Sequence, residues 1–280
     1  MSSIKLPENN GQGWYNSPLY YDIIFDQDTI READFLEKVF SKHAKPAVAS
    51  NLRILEPACG SGRLLEELSV RGHGVTGFDV EPAMVEFSRQ RLKLAGHGGS
   101  VIKQRMEKFT IPGKFDMAYC LVSTFKYLLN ERDARSHLRD IARHLRAGGI
   151  YLLGFHLSNY ARTRQQRECW KGSRDRIRVD CVIDSARPDS HLRLENLEST
   201  LEISENGTTK TMKTAWQFRT YDAAQVRSML RAVPEFTLVK CYDFCYDSDQ
   251  PRELEDSWED VILVLRKNSD SGAGNRRSSM

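Results

Sequence analysis

Residues 54–65, Ile-Leu-Glu-Pro-Ala-Cys-Gly-Ser-Gly-Arg-Leu-Leu, join a short apolar run to a helical pattern through Gly60 and Gly62. The next apolar run, Val75-Thr76-Gly77-Phe78-Asp79, ends in an acid. Strand, glycine turn and helix in that order let backbone approach a ligand where a Cβ would collide, and the helix start offers unpaired N–H groups. An acid about twenty residues further on is placed to accept from ribose hydroxyls. Together these features describe a pocket for an adenine nucleoside. Taken singly, each has a plainer reading: the glycines end a strand, and Asp79 caps the helix that opens near Pro82.

The spacing Glu56-x-x-x-Gly60-x-Gly62 lacks the third glycine of a dinucleotide fingerprint, and no Gly-Lys-Ser/Thr follows as a phosphate loop requires. A ligand without a pyrophosphate explains both absences. It also explains Glu56 at the mouth of the turn, which repels phosphate and suits an ammonium.

Length and composition set broad limits. A chain of 280 residues, 40% hydrophobic and 28% charged, can bury a full core as one large domain or a domain with a subdomain. The formal charge is +3, with Lys and Arg spread along the chain, so a nucleic-acid stripe is not indicated. No apolar targeting run opens the sequence and no stretch has membrane-span length, which predicts a cytoplasmic protein with no membrane partner. The cysteines at 59, 120, 169, 181, 241 and 245 are scattered. Only Cys241 and Cys245 are close, without a second pair or histidine at zinc spacing, so no metal site is expected and a reducing compartment is.

An aromatic-rich segment around Trp14, Tyr15, Tyr20, Tyr21 and Phe25 precedes a helix over 31–42. Strands are then predicted near 53–56, 75–79, 100–103, 116–120 and 150–155, with helices near 62–70, 83–94 and 133–146, the last ended by Gly148-Gly149. This alternation calls for a parallel sheet covered on both faces. Residues 161–180 are strongly charged. Alternation over Leu197–Ile203 and Met212–Phe218, joined by Asn206-Gly207, predicts an inserted antiparallel ribbon, and the out-of-register Leu192 and Leu194 predict a bulge or short turn near Glu195-Asn196. A helix at 223–232 and strands near 236–241 and 260–265 follow. The expected division is 1–48 N-terminal lid and helix, 49–160 nucleoside-binding core, 161–219 antiparallel insertion, 220–267 C-terminal completion of the sheet, and 268–280 disordered tail.

At these motifs the chain resembles the class I S-adenosylmethionine-dependent methyltransferases, specifically the small-molecule members with an antiparallel subdomain, the glycine N-methyltransferase-like group. The resemblance implies an α/β, Rossmann-like seven-stranded sheet with a small inserted antiparallel β subdomain, and S-adenosyl-L-methionine as cofactor. Glu56, Ala58, Gly60 and Gly62 then wrap the methionine part, Asp79 binds the ribose, and Val80 and Met84 flank the adenine. Phe115–Phe125 corresponds to the fourth strand and the loop toward substrate, which brings in Leu121. Relatives often carry an acid after the third strand that meets the adenine amino group. Arg105 stands there instead, so Met106 backbone or Glu107 is expected to take that contact.

Methyl transfer needs alignment of the nucleophile and removal of its proton more than covalent work. His156, after strand five, is the leading base, with idle backbone-satisfied packing as its alternative. Tyr21, a lid tyrosine by resemblance, is expected to reach cofactor or substrate, against simple lid packing. Ser123, Asn159 and Tyr160 are polar candidates on the substrate side. Trp216 is expected to pack the ribbon on the sheet, and Arg219 either serves the site or forms a salt bridge. The expected activity is methyl transfer to oxygen or nitrogen of a small molecule by a monomer or homodimer. A non-catalytic nucleoside-binding or partner-binding module that retains the fold is the alternative.

Overall fold

The structure, a computed structural model, describes residues 13–45 and 51–269. A 3-10 turn at Trp14–Asn16 leads into α1 (Pro18–Phe25), whose first position is set by the fixed φ of Pro18. α2 (Thr29–His43) buries Phe35, Leu36, Val39 and Phe40 on one face. The chain then alternates: β1 (Arg53–Pro57), α3 (Arg63–Val70), β2 (Gly74–Asp79), α4 (Pro82–Ala95), β3 (Gly99–Lys103), β4 (Phe115–Cys120), α5 (Glu131–His144) and β5 (Leu145–His156). Four further strands follow: β6 (Gln166–Arg174), β7 (Ile177–Ser185), β8 (Leu194–Glu205) and β9 (Thr208–Arg219). α6 (Ala223–Arg231), β10 (Phe236–Tyr242) and β11 (Asp260–Lys267) complete the described chain.

Seven strands form one sheet in the order β10-β11-β5-β4-β1-β2-β3. β5, β4, β1, β2 and β3 run parallel, and β11 runs against both of its neighbours. The strand order reverses between β1 and β4, so a crevice opens at the carboxyl ends of these two strands. Alternation along the central strands feeds two cores. Leu55, Ala118, Cys120, Tyr151 and Leu153 join Leu138 and Ile141 of α5 and Val226 and Met229 of α6. Ile54, Met117, Tyr119, Ile150 and Leu152 join Leu36 of α2, Leu64 and Leu68 of α3, and Val85 and Leu92 of α4. Burial on both faces explains why these strands read as continuous apolar runs.

The expected seven-stranded sheet and antiparallel insertion are both present, but the insertion is larger than a ribbon. It is a four-stranded antiparallel sheet, β6-β7-β8-β9, and the charged stretch 161–180 supplies β6 and part of β7. β6 is an edge strand with most side chains in solvent, among them Arg167 and Lys171. Charge on an exposed edge discourages pairing with other chains and erases the hydrophobic alternation that marks a strand. Of the bulge or short turn expected here, the structure has the turn: β8 and β9 pair without a break from Leu194↔Arg219 to Glu205↔Thr208. The offset of Leu192 is taken up by a turn, where Asp189 Oδ1 accepts from the backbone N–H of His191 and Leu192, each at 2.8 Å. α5 ends at His144 rather than at the glycines; Gly148 and Gly149 lie in the register shift of β5, between Leu145 and Ile150.

α1 packs on β6 and β7 of the second sheet and on α4. The carbonyl of Ile23 reaches the position a Cβ would occupy at Gly172 of β6, so this approach requires glycine. Trp14, Ile23 and Ile24 form a third core with Val179, Leu201, Ile203 and Trp216. The tail expected at 268–280 lies outside the described residues from 270 onward. Among the described residues no helix is long and apolar enough to cross a membrane.

Candidate active site

The chain leaves β1 through three left-handed residues, Ala58 (φ 52°), Gly60 (φ 53°) and Gly62 (φ 73°), before entering α3. Among these only Ala58 carries a Cβ in a region that disfavours one. A Cβ on Gly62 would stand 2.9 Å from the Ser88 side chain, so the turn sits directly on α4. Ser88 Oγ donates to the Gly60 carbonyl at 2.6 Å. Asp79, at the end of β2, accepts from Gly60 N at Oδ2 and from Glu81 N at Oδ1, both at 2.9 Å. The acid and the glycine turn, nineteen residues apart in sequence, are therefore hydrogen-bonded to one another. Burial raises the Asp79 pKa and the two backbone N–H groups oppose it. Each carboxylate oxygen keeps lone-pair capacity for a further donor such as a hydroxyl.

Glu56 remains partly accessible at the mouth of the turn. Tyr119 Oη donates to its Oε2 at 2.9 Å. Desolvation pushes its carboxyl up to about 8, against the lowering effect of Tyr119 and Arg63. Arg63 itself is engaged elsewhere, pairing with Glu32 at 2.7 Å and donating to Thr29 Oγ1 at 3.0 Å. An acid so poorly compensated is suited to receive a cation.

Tyr21 covers the turn. A Cβ on Gly60 would stand 3.4 Å from Tyr21 Cε1, which puts the ring in van der Waals contact range of the turn. Phe25 and Trp14 hold the ring, with centroids 4.5 and 5.8 Å away. The same tyrosine lines a cavity of about 620 Å³ between the lid, the four-stranded sheet and the carboxyl ends of β4 and β5. His156, Ser123 and Asn159 line it too, as do Lys126, Tyr127, Arg162, Glu195, Trp216 and Phe218.

At the end of β4 two non-glycine residues in succession, Val122 (φ 54°) and Ser123 (φ 64°), are left-handed. For a β-branched residue this is strained backbone, and it faces the cavity. Ser123 Oγ accepts from His156 N at 3.0 Å, which ties β4 to the residue that ends β5. The His156 ring packs edge-on against Phe244, 5.2 Å between centroids. Burial, then the nearby Lys126 charge, lowers its pKa against the pull of Glu168, so the neutral imidazole is favoured.

The other expected residues divide. Val80 is exposed beside Asp79, Met84 is fully buried on α4, and Leu121 is buried at the end of β4. The Met106 carbonyl accepts from His137 Nδ1 at 2.9 Å, and Glu107 pairs with Arg105. Tyr160 Oη is occupied by Thr220 and Gln225, at 2.8 and 3.0 Å. Arg219 pairs with Glu131 at 2.9 Å and donates to the Leu129 carbonyl at 3.1 Å, the salt-bridge alternative. Trp216 packs on Trp14 at 5.2 Å and also faces the cavity. Val122, Lys126, Arg162 and Glu195 escaped sequence reasoning; the lone Lys126 between Phe125 and Tyr127 was the one local signal.

Residues 54–149 match the family described as methyltransferase domain. Over 101 residues the chain is 31% identical to a dTDP-4-amino-2,3,4,6-tetradeoxy-D-glucose N,N-dimethyltransferase of Saccharopolyspora spinosa, covering 36% of this chain and 39% of that protein. The chain spans about half the length of the curated relatives it matches. An S-adenosylmethionine-dependent methyltransferase from Clostridium acetobutylicum superposes with a TM-score of 0.74 at 16% identity, covering 91% of this chain and 99% of that one. The sugar N-methyltransferase KedS8 from Streptoalloteichus does so with a TM-score of 0.69 at 18% identity, covering 96% and 98%. These likenesses establish the shared fold.

Proposed function

We propose that the protein is a class I S-adenosylmethionine-dependent methyltransferase, in keeping with the methyltransferase-domain match of residues 54–149 and the shared fold, and that it transfers a methyl group from S-adenosylmethionine to oxygen or nitrogen of a small molecule. One observation carries this reading: the ring of Tyr21 lies on Gly60 and also walls the 620 Å³ cavity. A nucleoside seated at the glycine turn is then one side chain away from an enclosed space of small-molecule size.

The residues present fit the cofactor. Asp79 would accept from the ribose hydroxyls with the lone pairs its two backbone donors leave free. Val80 offers exposed apolar surface to the adenine, with Met84 beneath it and Met106 or Glu107 at the amino group. Glu56 would pair with the amino-acid ammonium, while Ala58, Gly60, Gly62 and Leu121 shape the path of the chain around it. The bound cofactor supplies an activated sulfonium methyl. His156, neutral for the reasons above, would take the proton of the acceptor, and Tyr21 would close the cleft and keep water out.

Residues 49–160 and 220–267 would then form the cofactor core, 161–219 the acceptor side and 1–48 the lid. A reducing, cytoplasmic setting belongs to the same reading, in keeping with six cysteines scattered along the chain without paired spacing. Calorimetric titration with S-adenosylmethionine, with NAD as control, tests the reading. Micromolar or tighter binding of the first alone is expected; absence of S-adenosylmethionine binding by folded protein overturns it.

A further inference from the structure

Lys126 is the one lysine among the described residues in the wall of the acceptor cavity that His156 also lines, and its side chain is only 3% exposed. Among the described residues its ammonium has a single ionic partner, Glu195 Oε2 at 3.7 Å, which is beyond good hydrogen-bond distance. Three N–H donors of a largely buried side chain therefore line the cavity with that one distant carboxylate oxygen as their acceptor among the described residues. The Phe218 ring, 5.1 Å away, adds a cation–π contact but no acceptor.

Glu195 does not settle the account, because it is shared. Its Oε1 accepts from Arg162 Nη2 at 2.6 Å, so one buried carboxylate stands between two cations. Arg162 Nη2 also donates to the Ala186 carbonyl at 2.6 Å, and its Nε has no partner among the described residues. The remaining acids of the cavity are wetter or occupied. Asp256 and Glu259 are exposed, Glu168 is half-buried on the edge strand β6, and Asp260 Oδ1 accepts from Phe244 N. Solvent screens those charges far more than it screens Lys126. Aromatic side chains make up much of the cavity wall, with Trp14, Tyr21, Tyr127 and Trp216 beside Phe218 in its lining.

We propose that Lys126 seats an anionic oxygen, carboxylate or phenolate, of a flat aromatic acceptor. The ligand oxygen completes the hydrogen bonding of the buried ammonium, and the rings of the cavity sandwich the aromatic body. Burial lowers the Lys126 pKa while Glu195 opposes the shift, and a bound anion would add to the opposition. The inference rests on the methyl-transfer reading only in taking this cavity as the acceptor's; anion binding itself needs no cofactor.

Binding of paired probes to the full chain tests it: benzoate against benzamide, and 4-nitrophenol against 4-nitroanisole. The anionic member of each pair is expected to bind about tenfold or more tightly than its neutral counterpart, the usual gain of one charge-assisted hydrogen bond. Bound 4-nitrophenol should show its yellow phenolate band at a pH where the free phenol is largely colourless. Preference for benzoate alone assigns a carboxylate, and preference for nitrophenolate alone a phenol. Lys126→Met should abolish the preference and Lys126→Arg should keep it. Retained S-adenosylhomocysteine binding would show that Lys126→Met is folded. Equal binding of charged and neutral probes by the wild-type chain, or binding of neither, overturns the proposal without recourse to any variant. Anion preference in a chain that fails to bind S-adenosylhomocysteine would support Lys126 while removing the cofactor reading.

Discussion

Tyr119 donates from the middle of the sheet to Glu56 at the mouth of the glycine turn, Oη to Oε2, at 2.9 Å. That phenol is a weak answer to a desolvated carboxylate, and the Glu56 carboxyl accordingly rises to about 8. The folded state therefore holds a proton that the unfolded state releases. The associated stability is complete below the ordinary value of 4.5 and is lost as the pH climbs toward about 8. Glu56→Gln removes this dependence. Its melting temperature should exceed that of the wild type near pH 8 and converge with it near pH 5, by roughly a few degrees at most.

The same residue links cofactor binding to protons. A ligand ammonium pairs with the carboxylate form, so binding at neutral pH should release a proton and strengthen as the pH rises toward about 8. Calorimetry of S-adenosylhomocysteine in buffers of different ionisation enthalpy measures that release. Glu56→Gln should bind more weakly with no proton release; an unchanged release would assign the proton to another group.

Asp79→Ala removes the acceptor shared by Gly60 N and Glu81 N. S-adenosylhomocysteine affinity should fall about 10- to 100-fold, the scale of one or two hydrogen bonds to a charged group. Circular dichroism should remain that of the wild type. Wild-type affinity in the variant would strip Asp79 of its role at the ribose.

Tyr21 contributes a ring before a hydroxyl. Tyr21→Phe preserves the cover over Gly60 and should keep kcat/KM within about threefold, whereas Tyr21→Ala opens the cleft and should cost about tenfold or more. Equal losses in both variants would instead make the hydroxyl chemically essential.

His156→Gln should lower kcat for an oxygen acceptor by about 10²- to 10⁴-fold if it removes the proton. Because burial and Lys126 disfavour the imidazolium, the acid limb of the wild-type profile should lie below the ordinary imidazole range. Lys126→Met should move that limb upward, because it removes the charge that disfavours the imidazolium and leaves the opposing pull of Glu168. A limb that stays fixed in both variants would belong to a different group.

Asp22 is completely buried and binds three partners: Ser61 Oγ at 2.6 Å, Arg174 Nη1 at 2.7 Å, and Arg91. It thereby ties α1 to the glycine turn, to α4 and to β6. Asp22→Asn withdraws the buried anion that Arg91 and Arg174 share, leaving them Glu66 at 3.3 Å and Asp26 at 2.9 Å, and should destabilise the protein by about 2 kcal/mol. Limited proteolysis should then release the segment before α2, and an unaltered cleavage pattern would deny Asp22 its fastening role.

Much of the core was legible because its signals are local. The strands that carry Ile54, Met117 and Leu152 are apolar on both faces, and the helices between them repeat every three to four residues. The second sheet was half legible. β8 and β9 alternate around an Asn-Gly turn, while the edge strand β6 is solvated and carries no period. The spacing of Leu192 left a bulge and a short turn open, and the turn is what forms, because Leu192 lies outside the strand and does not bear on its register.

By itself, the sequence determined the glycine turn, the acid that faces it and the parallel sheet that brings them together, since turn geometry and hydrophobic period are properties of neighbouring residues. Only the tertiary structure decided that Tyr21 lies on Gly60, that Val122 and Ser123 are strained at the cavity, and that Glu195 is divided between Lys126 and Arg162. Those relationships join residues far apart in the chain. Desolvation, which sets the protonation of Glu56 and the unmet valence of Lys126, exists only once the surrounding elements have packed.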